Sequence, residues 1–398
     1  MPEQIVVTAC GVVSPLGFGW EENRRALLEN PQSAIRRITL FSTEGNRAST
    51  AGEIDNARLE NFRSDTRAAK RLHRASLMMI AAARELSAAD SEFTPESVFI
   101  GTTSGGMSHG EAFYERLVAG NSLRGAATEV ANYMPHKPIT DALADRAWTC
   151  PVRIVSNACA SGTNAIGLAL LALRSGRITR AIAGGYDALA QLVFCGFDAL
   201  QAASATTCRP FDRDRNGLAL GEAAALLALE TRSSAEARGA KILCEIAGYG
   251  AATDTHHLTQ PHPSGIGPRM AMERALADAK WNASQVDYIN AHGTATPLND
   301  ASEGAAINAL FASNIAVSST KGFVGHTLGA AGALEAVFCI MALREQCAPP
   351  NLNWQSPDSA FAFQPLKTAT RLPLQRILSN SFGFGGANAT VALSRVDH

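Results

Sequence analysis

Short runs of β-branched and aliphatic residues alternate along this chain with longer Ala/Leu-rich segments. Ile5-Val6-Val7-Thr8, Ser97–Ile100, Arg153–Val155 and Ala181–Ala183 have the length and composition of buried strands. So do Ala223–Glu230, Leu243–Ile246, Val286–Ile289, Ile377-Leu378 and Ala389–Leu393. Between them, segments rich in helix formers predict helices over 66–88, 162–175, 267–280, 301–311 and 330–345. Strands alternating with helices predict an α/β protein whose sheets are covered on their faces.

Two of the predicted helices repeat one another. Gly162–Arg174 aligns without gaps on Gly332–Arg344; both segments open at glycine, close on Ala-Leu-Arg and are apolar nearly throughout. Helices apolar all round belong in the centre of a protein. A second echo pairs the strand leading into Gly101-Thr102 with the strand leading into Gly293-Thr294. Two echoes in the same order favour a duplicated fold whose halves meet near 235–240. The stretch Ser233-Ser234-Ala235-Glu236-Ala237-Arg238-Gly239 there is polar and turn-prone.

Bulk properties narrow the setting. At 398 residues the chain can bury a large core, and a formal charge of -1 argues against a global polyanion binder. Eight cysteines without a CxxC pair make neither a disulfide nor a zinc framework and fit a reducing compartment. The start Met1-Pro2-Glu3-Gln4-Ile5 lacks the basic and apolar regions of a signal peptide, and no run approaches the ~20 apolar residues of a membrane span. The expectation is a soluble cytoplasmic protein that binds neither membrane nor nucleic acid.

Three segments set a reactive group beside glycine. Cys159 lies between the strand at 153–155 and the helix opening near Gly162, where a helix N-terminus favours thiolate. His292 ends a strand and enters Gly293-Thr294-Ala295-Thr296-Pro297, and His326 sits in Gly325-His326-Thr327 before the second repeated helix. Singly, each is as readily a packed core side chain. Together, the repeat places Cys159 and His326 near the starts of corresponding helices, and His292 leaves the strand edge that α/β proteins use for sites. His256, His257 and His262 suggest a metal site, but no cysteine or carboxylate cluster completes one.

In these contexts Cys159, His292 and His326 resemble the Cys-His-His triad of the elongating β-ketoacyl-acyl carrier protein synthases, in the thiolase superfamily. Cys208-Arg209-Pro210-Phe211-Asp212 with Gly217 and Gly221-Glu222 extends the likeness, as does Asn380-Ser381-Phe382-Gly383-Phe384-Gly385-Gly386-Ala387-Asn388. The resemblance implies a duplicated five-layered α-β-α-β-α fold, with two mixed sheets around central buried helices. Its halves would be 1–238, carrying the cysteine, and 239–398, carrying both histidines. It implies decarboxylative condensation of malonyl carrier protein with an acyl group on Cys159, without metal or organic cofactor.

Further roles follow from the same resemblance. Backbone N–H groups of Cys159 and Phe384 form an oxyanion hole; Lys321 and Glu335 orient the histidines and their charge network. Thr294 and Thr296 hold the phosphopantetheine arm, with Thr259 along the same tunnel. Phe384 gates the acyl chain beside Phe382, and Ser104 stands where relatives limit chain depth. Arg63, Arg67, Lys70, Arg71 and Arg74 share one face if their segment is helical and would dock an acidic acyl carrier protein. The family implies a homodimer, or a heterodimer with a related ketosynthase-like subunit.

The sequence also departs from the family pattern. Ala387 stands where threonine is usual, Ala223 where glycine is common, and Pro135–Cys150 is a few residues short. These changes spare the triad and leave a polyketide or polyene pathway open beside fatty-acid synthesis. Rival readings are a thiolase acting on coenzyme A thioesters, a priming synthase and a non-catalytic chain-length partner. Phe382 and Phe384 in place of a second cysteine oppose the first, His326 the second, and Cys159 the third.

Overall fold

The structure is a computed structural model that describes residues 3–66 and 69–396. Ten strands form one path of hydrogen-bonded neighbours: β1 (Ile5–Ser14), β2 (Ser97–Gly101), β3 (Val152–Val155), β4 (Arg180–Asp187), β5 (Ala223–Thr231), β6 (Cys244–Thr253), β7 (Tyr288–Asn290), β8 (Ala316–Ser318), β9 (Arg376–Gly383) and β10 (Ala387–Ser394). Their order is β3-β2-β4-β5-β1-β6-β10-β9-β7-β8, with Gly17–Phe18 appended to β1. Adding five to each label of the first half reproduces the second, so one topology occurs twice. In both halves the three outer strands run parallel to one another (β3, β2, β4 and β8, β7, β9), and the rest pair antiparallel.

The two sheets expected from the sequence are joined at their edges. Val6 pairs with Glu245 and Val7 with Cys244, which fuses both into one mixed 11-stranded sheet. The nine predicted strands all form. The short β8 escaped notice because Ala316–Ser318 carries only one strongly apolar residue.

Helices cover the sheet in three layers. They include α1 (Arg74–Ala89), α2 (Met107–Val118), α3 (Ala127–Tyr133), α4 (Lys137–Asp145), α5 (Ser161–Arg174), α6 (Gln191–Ala199), α7 (Ile266–Ala279), α8 (Pro297–Leu310) and α9 (Ala331–Glu345). α5 and α9, the repeated pair, form the central layer between the halves; α9 is buried continuously from Ala331 to Leu343. α1 packs on β1 and β5 outside the first half, and α7 on β6 and β10 outside the second. The five layers α-β-α-β-α are thus present. α2, α3, α4 and α6 were not among the helices expected from the sequence.

The helix predicted over 66–88 begins only at Arg74. His73 has extended backbone and its Nδ1 accepts the Ala75 N–H, capping the helix. Lys70 and Arg71 lie in the 3-10 turn Ala69–Arg71, and Arg67 is outside the described residues. The single basic helical face therefore does not exist. Arg63 donates to Glu60 and to the Ala69 and Leu72 carbonyls. Arg74 points inward onto fully buried Glu222 at 2.5 Å, leaving 12% of its side chain exposed. It is a packing residue, not a docking one. Only Lys70 and Arg71 of the described set are exposed.

Glu222 also accepts the N–H groups of Ile54 and Leu189, so Arg74 completes a buried carboxylate's shell. Breaking such a pair strands a charge. Arg74→Ala is expected to lower unfolding free energy by roughly 3 kcal/mol, read as a fall in the urea midpoint. An unchanged midpoint would mean the pair carries no stability.

Candidate active site

The parallel strands of both halves deliver their C-terminal ends to one region, and every group of interest leaves such an end. Cys159 follows β3, His292 follows β7, His326 follows β8 and Phe384 follows β9. The polypeptide turns at Ala158, whose φ of 53° is strained for a residue with a Cβ. The Ser161 hydroxyl stabilises this elbow by donating to the Ala158 carbonyl (2.6 Å) and accepting the Asn157 N–H (3.0 Å). Cys159 thereby sits just ahead of α5.

Close helix packing brings the second group in. A Cβ at Gly162 would lie 2.8 Å from the Ala333 nitrogen and the Gly329 carbonyl. A Cβ at Gly332 would lie 2.0 Å from Thr163 Oγ1. Only glycine lets α5 and α9 start in contact. His326, five residues before α9, is fixed because its N–H donates to the Ala219 carbonyl and its carbonyl accepts the Gly221 N–H. Its Nε2 stands 2.9 Å from Cys159 Sγ.

His292 completes the set. Its ring centroid lies 5.2 Å from that of His326, nearly perpendicular, and 5.9 Å from Phe382. The thiol and one nitrogen of each imidazole lie within 4.8 Å of one another, all buried. No other such group of three ligand-bearing side chains occurs among the described residues. The His256 and His262 rings meet edge-on at 4.9 Å without forming one.

Electrostatics define what the groups can do. Burial pushes the Cys159 thiol up to about 12; the Lys321 ammonium and the N–H groups of Cys159 and Phe384 act against it, and Asp187 with it. Burial, then Lys321, drives both imidazoles well below their ordinary range; His326 adds to the effect on His292. Both rings are therefore neutral at working pH. Neither Nδ1 has a hydrogen-bond partner among the described residues. An orphaned acceptor is cheaper than an orphaned N–H, which favours the tautomer with the proton on Nε2.

Lys321 and Glu335, buried as a pair at 2.5 Å, stand behind the imidazoles rather than in the cavity. The cavity itself, of about 310 Å³, opens over the triad. Thr259, Thr294, Thr296, Phe382 and Phe384 line it with the three reactive groups. Thr294 and Thr296 hydroxyls share a 2.8 Å hydrogen bond, and Phe384, 37% exposed, stacks on Phe197. Ser104 is elsewhere: it is buried, its hydroxyl donates to Asp187, and it does not line this cavity.

Two supporting groups went unnoticed in the sequence. Glu303 of α8 accepts the N–H groups of His292 and Gly293, both at 2.8 Å, and the Asn380 side-chain amide. Asp300 accepts the N–H groups of Phe211 and Ala295, tying the Phe211 segment to the loop after His292. Isolated acids on a mostly apolar helix were the available signal.

Comparison with known proteins follows this geometry. The "Beta-ketoacyl synthase, N-terminal domain" family matches residues 2–235, and the "Beta-ketoacyl synthase, C-terminal domain" family residues 243–355. The chain is 34% identical over 415 residues to 3-oxoacyl-[acyl-carrier-protein] synthase 2 of Staphylococcus aureus (strain N315), covering 99% of each. Its fold superposes on the ishigamide ketosynthase/chain length factor with a TM-score of 0.92 at 30% identity, covering 100% of both chains. A type II polyketide-synthase acyl-carrier protein in complex with its ketosynthase, AntDE:AntF, gives 0.89 at 26% identity, again over 100% of both.

The burial of the imidazoles yields a direct measurement. In side-chain 15N NMR both rings are expected to stay neutral from about pH 8 to 5.5, whereas an exposed histidine titrates near ~6.5. Protonation of either ring inside that window would contradict the electrostatics described.

Proposed function

The chain belongs to the β-ketoacyl synthase family of the thiolase superfamily, and we propose how its own residues carry out that family's acyl transfer. The observation that carries the reading is Cys159 Sγ, held 2.9 Å from His326 Nε2 at the floor of a cavity shared with His292. The chain is a β-ketoacyl-acyl carrier protein synthase, an acyltransferase, and the acyl group resides on Cys159 between its two half-reactions.

In the first half-reaction, Sγ attacks the carbonyl carbon of an acyl thioester on the carrier. The oxyanion that forms is stabilised by the N–H groups of Cys159 and Phe384, the same donors that face the sulfur. The carrier thiol departs with the proton lost by Cys159. The N-terminus of α5 and the His326 Nε2–H favour the transient thiolate.

In the second, malonyl carrier protein loses carbon dioxide and its thioester oxygen becomes an enolate. Nε2–H donors of His292 and His326 stabilise that oxygen, a task for which neutral rings suffice. The carbanion attacks the acyl carbonyl, the C–S bond to Cys159 breaks, and the sulfur takes up a proton. The product is a β-ketoacyl chain two carbons longer. Decarboxylation supplies the electron pair, so no step needs a metal or organic cofactor.

The wall residues take corresponding roles. Thr294 and Thr296, with Thr259 nearer the mouth, hold the phosphopantetheine arm; Phe384 between Gly383 and Gly385 swings to admit the acyl chain past Phe382. Lys321 and Glu335 keep the imidazoles neutral and in register. Lys70 and Arg71 remain the docking cations for an acidic carrier. The halves 1–238 and 239–398 act as one unit because each contributes to the triad.

The chain works as a homodimer, with a heterodimer containing a related subunit as the second arrangement. Among the described residues edge strand β3 pairs only with β2, and Leu168 and Leu171 of neighbouring α5 are 41% and 50% exposed. An open edge flanked by exposed leucines suits pairing with another copy. No described helix is long and apolar enough to cross a membrane.

Incubation with acyl carrier protein should acylate Cys159, and Cys159→Ala should abolish the mass shift. His292→Ala or His326→Ala is expected to slow carbon dioxide release from malonyl carrier protein by about 100-fold. Wild-type protein that accepts no acyl group from any carrier thioester would overturn the reading. Charge reversal at Lys70 and Arg71 should raise the carrier KM while leaving turnover of small acyl thioesters unchanged; equal effects on both would remove these cations from docking.

A further inference from the structure

We propose that Asp187 is a positioning residue for the Cys159–His326 pair, clamping the loop beside the nucleophile to the turn that follows His326. The proposal rests on the reading of Cys159 as the acyl-accepting nucleophile.

Asp187 ends β4 and is fully buried. Its two carboxylate oxygens accept six donor groups. Thr102 Oγ1 (2.7 Å), Thr103 N–H (3.0 Å), Thr103 Oγ1 (2.5 Å), Ser104 N–H (2.9 Å) and Ser104 Oγ (2.7 Å) come from the loop after β2. The sixth is the Gly329 N–H at 2.6 Å, from the turn Leu328–Ala330 that leads from His326 into α9. No Lys, Arg or His forms an ion pair with it among the described residues. A buried carboxylate without a cation is costly unless its lone pairs are saturated, and here they are.

The clamp lies against the catalytic elbow. A Cβ at Gly101, immediately before the clamped loop, would lie 2.3 Å from the Ser161 carbonyl carbon and 2.4 Å from the Gly162 nitrogen. A Cβ at Gly329 would lie 2.8 Å from Asp187 Oδ2. One side chain therefore joins the segment supporting Cys159 to the segment carrying His326. The duplication sharpens the point: Asp187 ends β4, and the equivalent strand β9 ends at Gly383, next to the oxyanion-hole residue Phe384.

The clamp also has an electrostatic signature. The charged and titratable groups acting on Cys159 are Lys321, Asp187 and the imidazoles of His292 and His326. Lys321 favours the thiolate, and the Asp187 carboxylate opposes it. Asparagine at 187 would keep one acceptor oxygen, lose the negative charge and leave donors of the Thr102–Ser104 loop unsatisfied.

Two readouts on Asp187→Asn test this. The first is the ratio of Cys159 alkylation rates with anionic iodoacetate and neutral iodoacetamide. Losing a nearby negative charge should raise that ratio about threefold, because only the anionic reagent is repelled by it. Simple loosening would speed both reagents alike. The second is acyl transfer from carrier to Cys159, expected to fall at least about tenfold because the Sγ–Nε2 alignment relaxes.

A folded Asp187→Asn with unchanged alkylation ratio and unchanged acyl transfer would overturn the proposal. Should that variant fail to fold, Thr103→Val removes one hydroxyl donor while keeping the charge. It should slow acyl transfer several-fold and leave the ratio unaltered, and wild-type transfer rates would then reject the clamp. Alkylation requires no condensation activity, so the ratio is read independently of the proposed function.

Discussion

The constraint on which the site depends is steric: α5 and α9 begin in contact at Gly162 and Gly332, where neither position can accept a methyl group. Each helix start carries a reactive loop, so their contact decides how far Cys159 lies from His326. Methyl groups at both sites would force the helix starts apart and lengthen the hydrogen bond between sulfur and imidazole. Duplication supplies the rest, because two copies of one strand order turn their C-terminal ends towards the same central place.

Burial then sets the chemistry. A thiol and two imidazoles in exposed positions would titrate near their ordinary values; here desolvation raises the one and lowers the others. Neutral imidazoles can each donate one hydrogen bond, which suits an enolate, and with so low a pKa they are poor bases. The Lys321 ammonium, held by buried Glu335, reinforces neutrality of the rings and partly offsets the cost of a thiolate. As a source of stability such a pair is weak; as a fixed field beside three titratable groups it is effective.

Backbone donors recur throughout the site. Glu303 holds the His292 loop, Asp300 the following turn, and Asp187 the loop beside the nucleophile, each by accepting N–H groups. These acids act on the position of a loop rather than on substrate. Loops built from Gly, Ala and Thr have little side-chain packing of their own, so a buried carboxylate with several donors fixes them where apolar contacts cannot.

Much of this was readable in the chain itself. Alternating apolar runs gave nine strands and the repeated Gly-to-Ala-Leu-Arg helices, because buried β and α elements have distinct lengths and side-chain branching. Cys159, His292 and His326 stood out for their glycine-rich surroundings. Long-range geometry stayed hidden. The fusion of two sheets depends on two residue pairs at β1 and β6, and the inward turn of Arg74 on a carboxylate 148 residues away. The basic stretch was misread as one helical face because His73 caps the helix locally. Asp187 carried no signal at all: its partners lie 83 to 142 residues distant, and only the folded sheet gathers them. Local periodicity is written in neighbouring residues; which buried charge meets which donor is decided by packing.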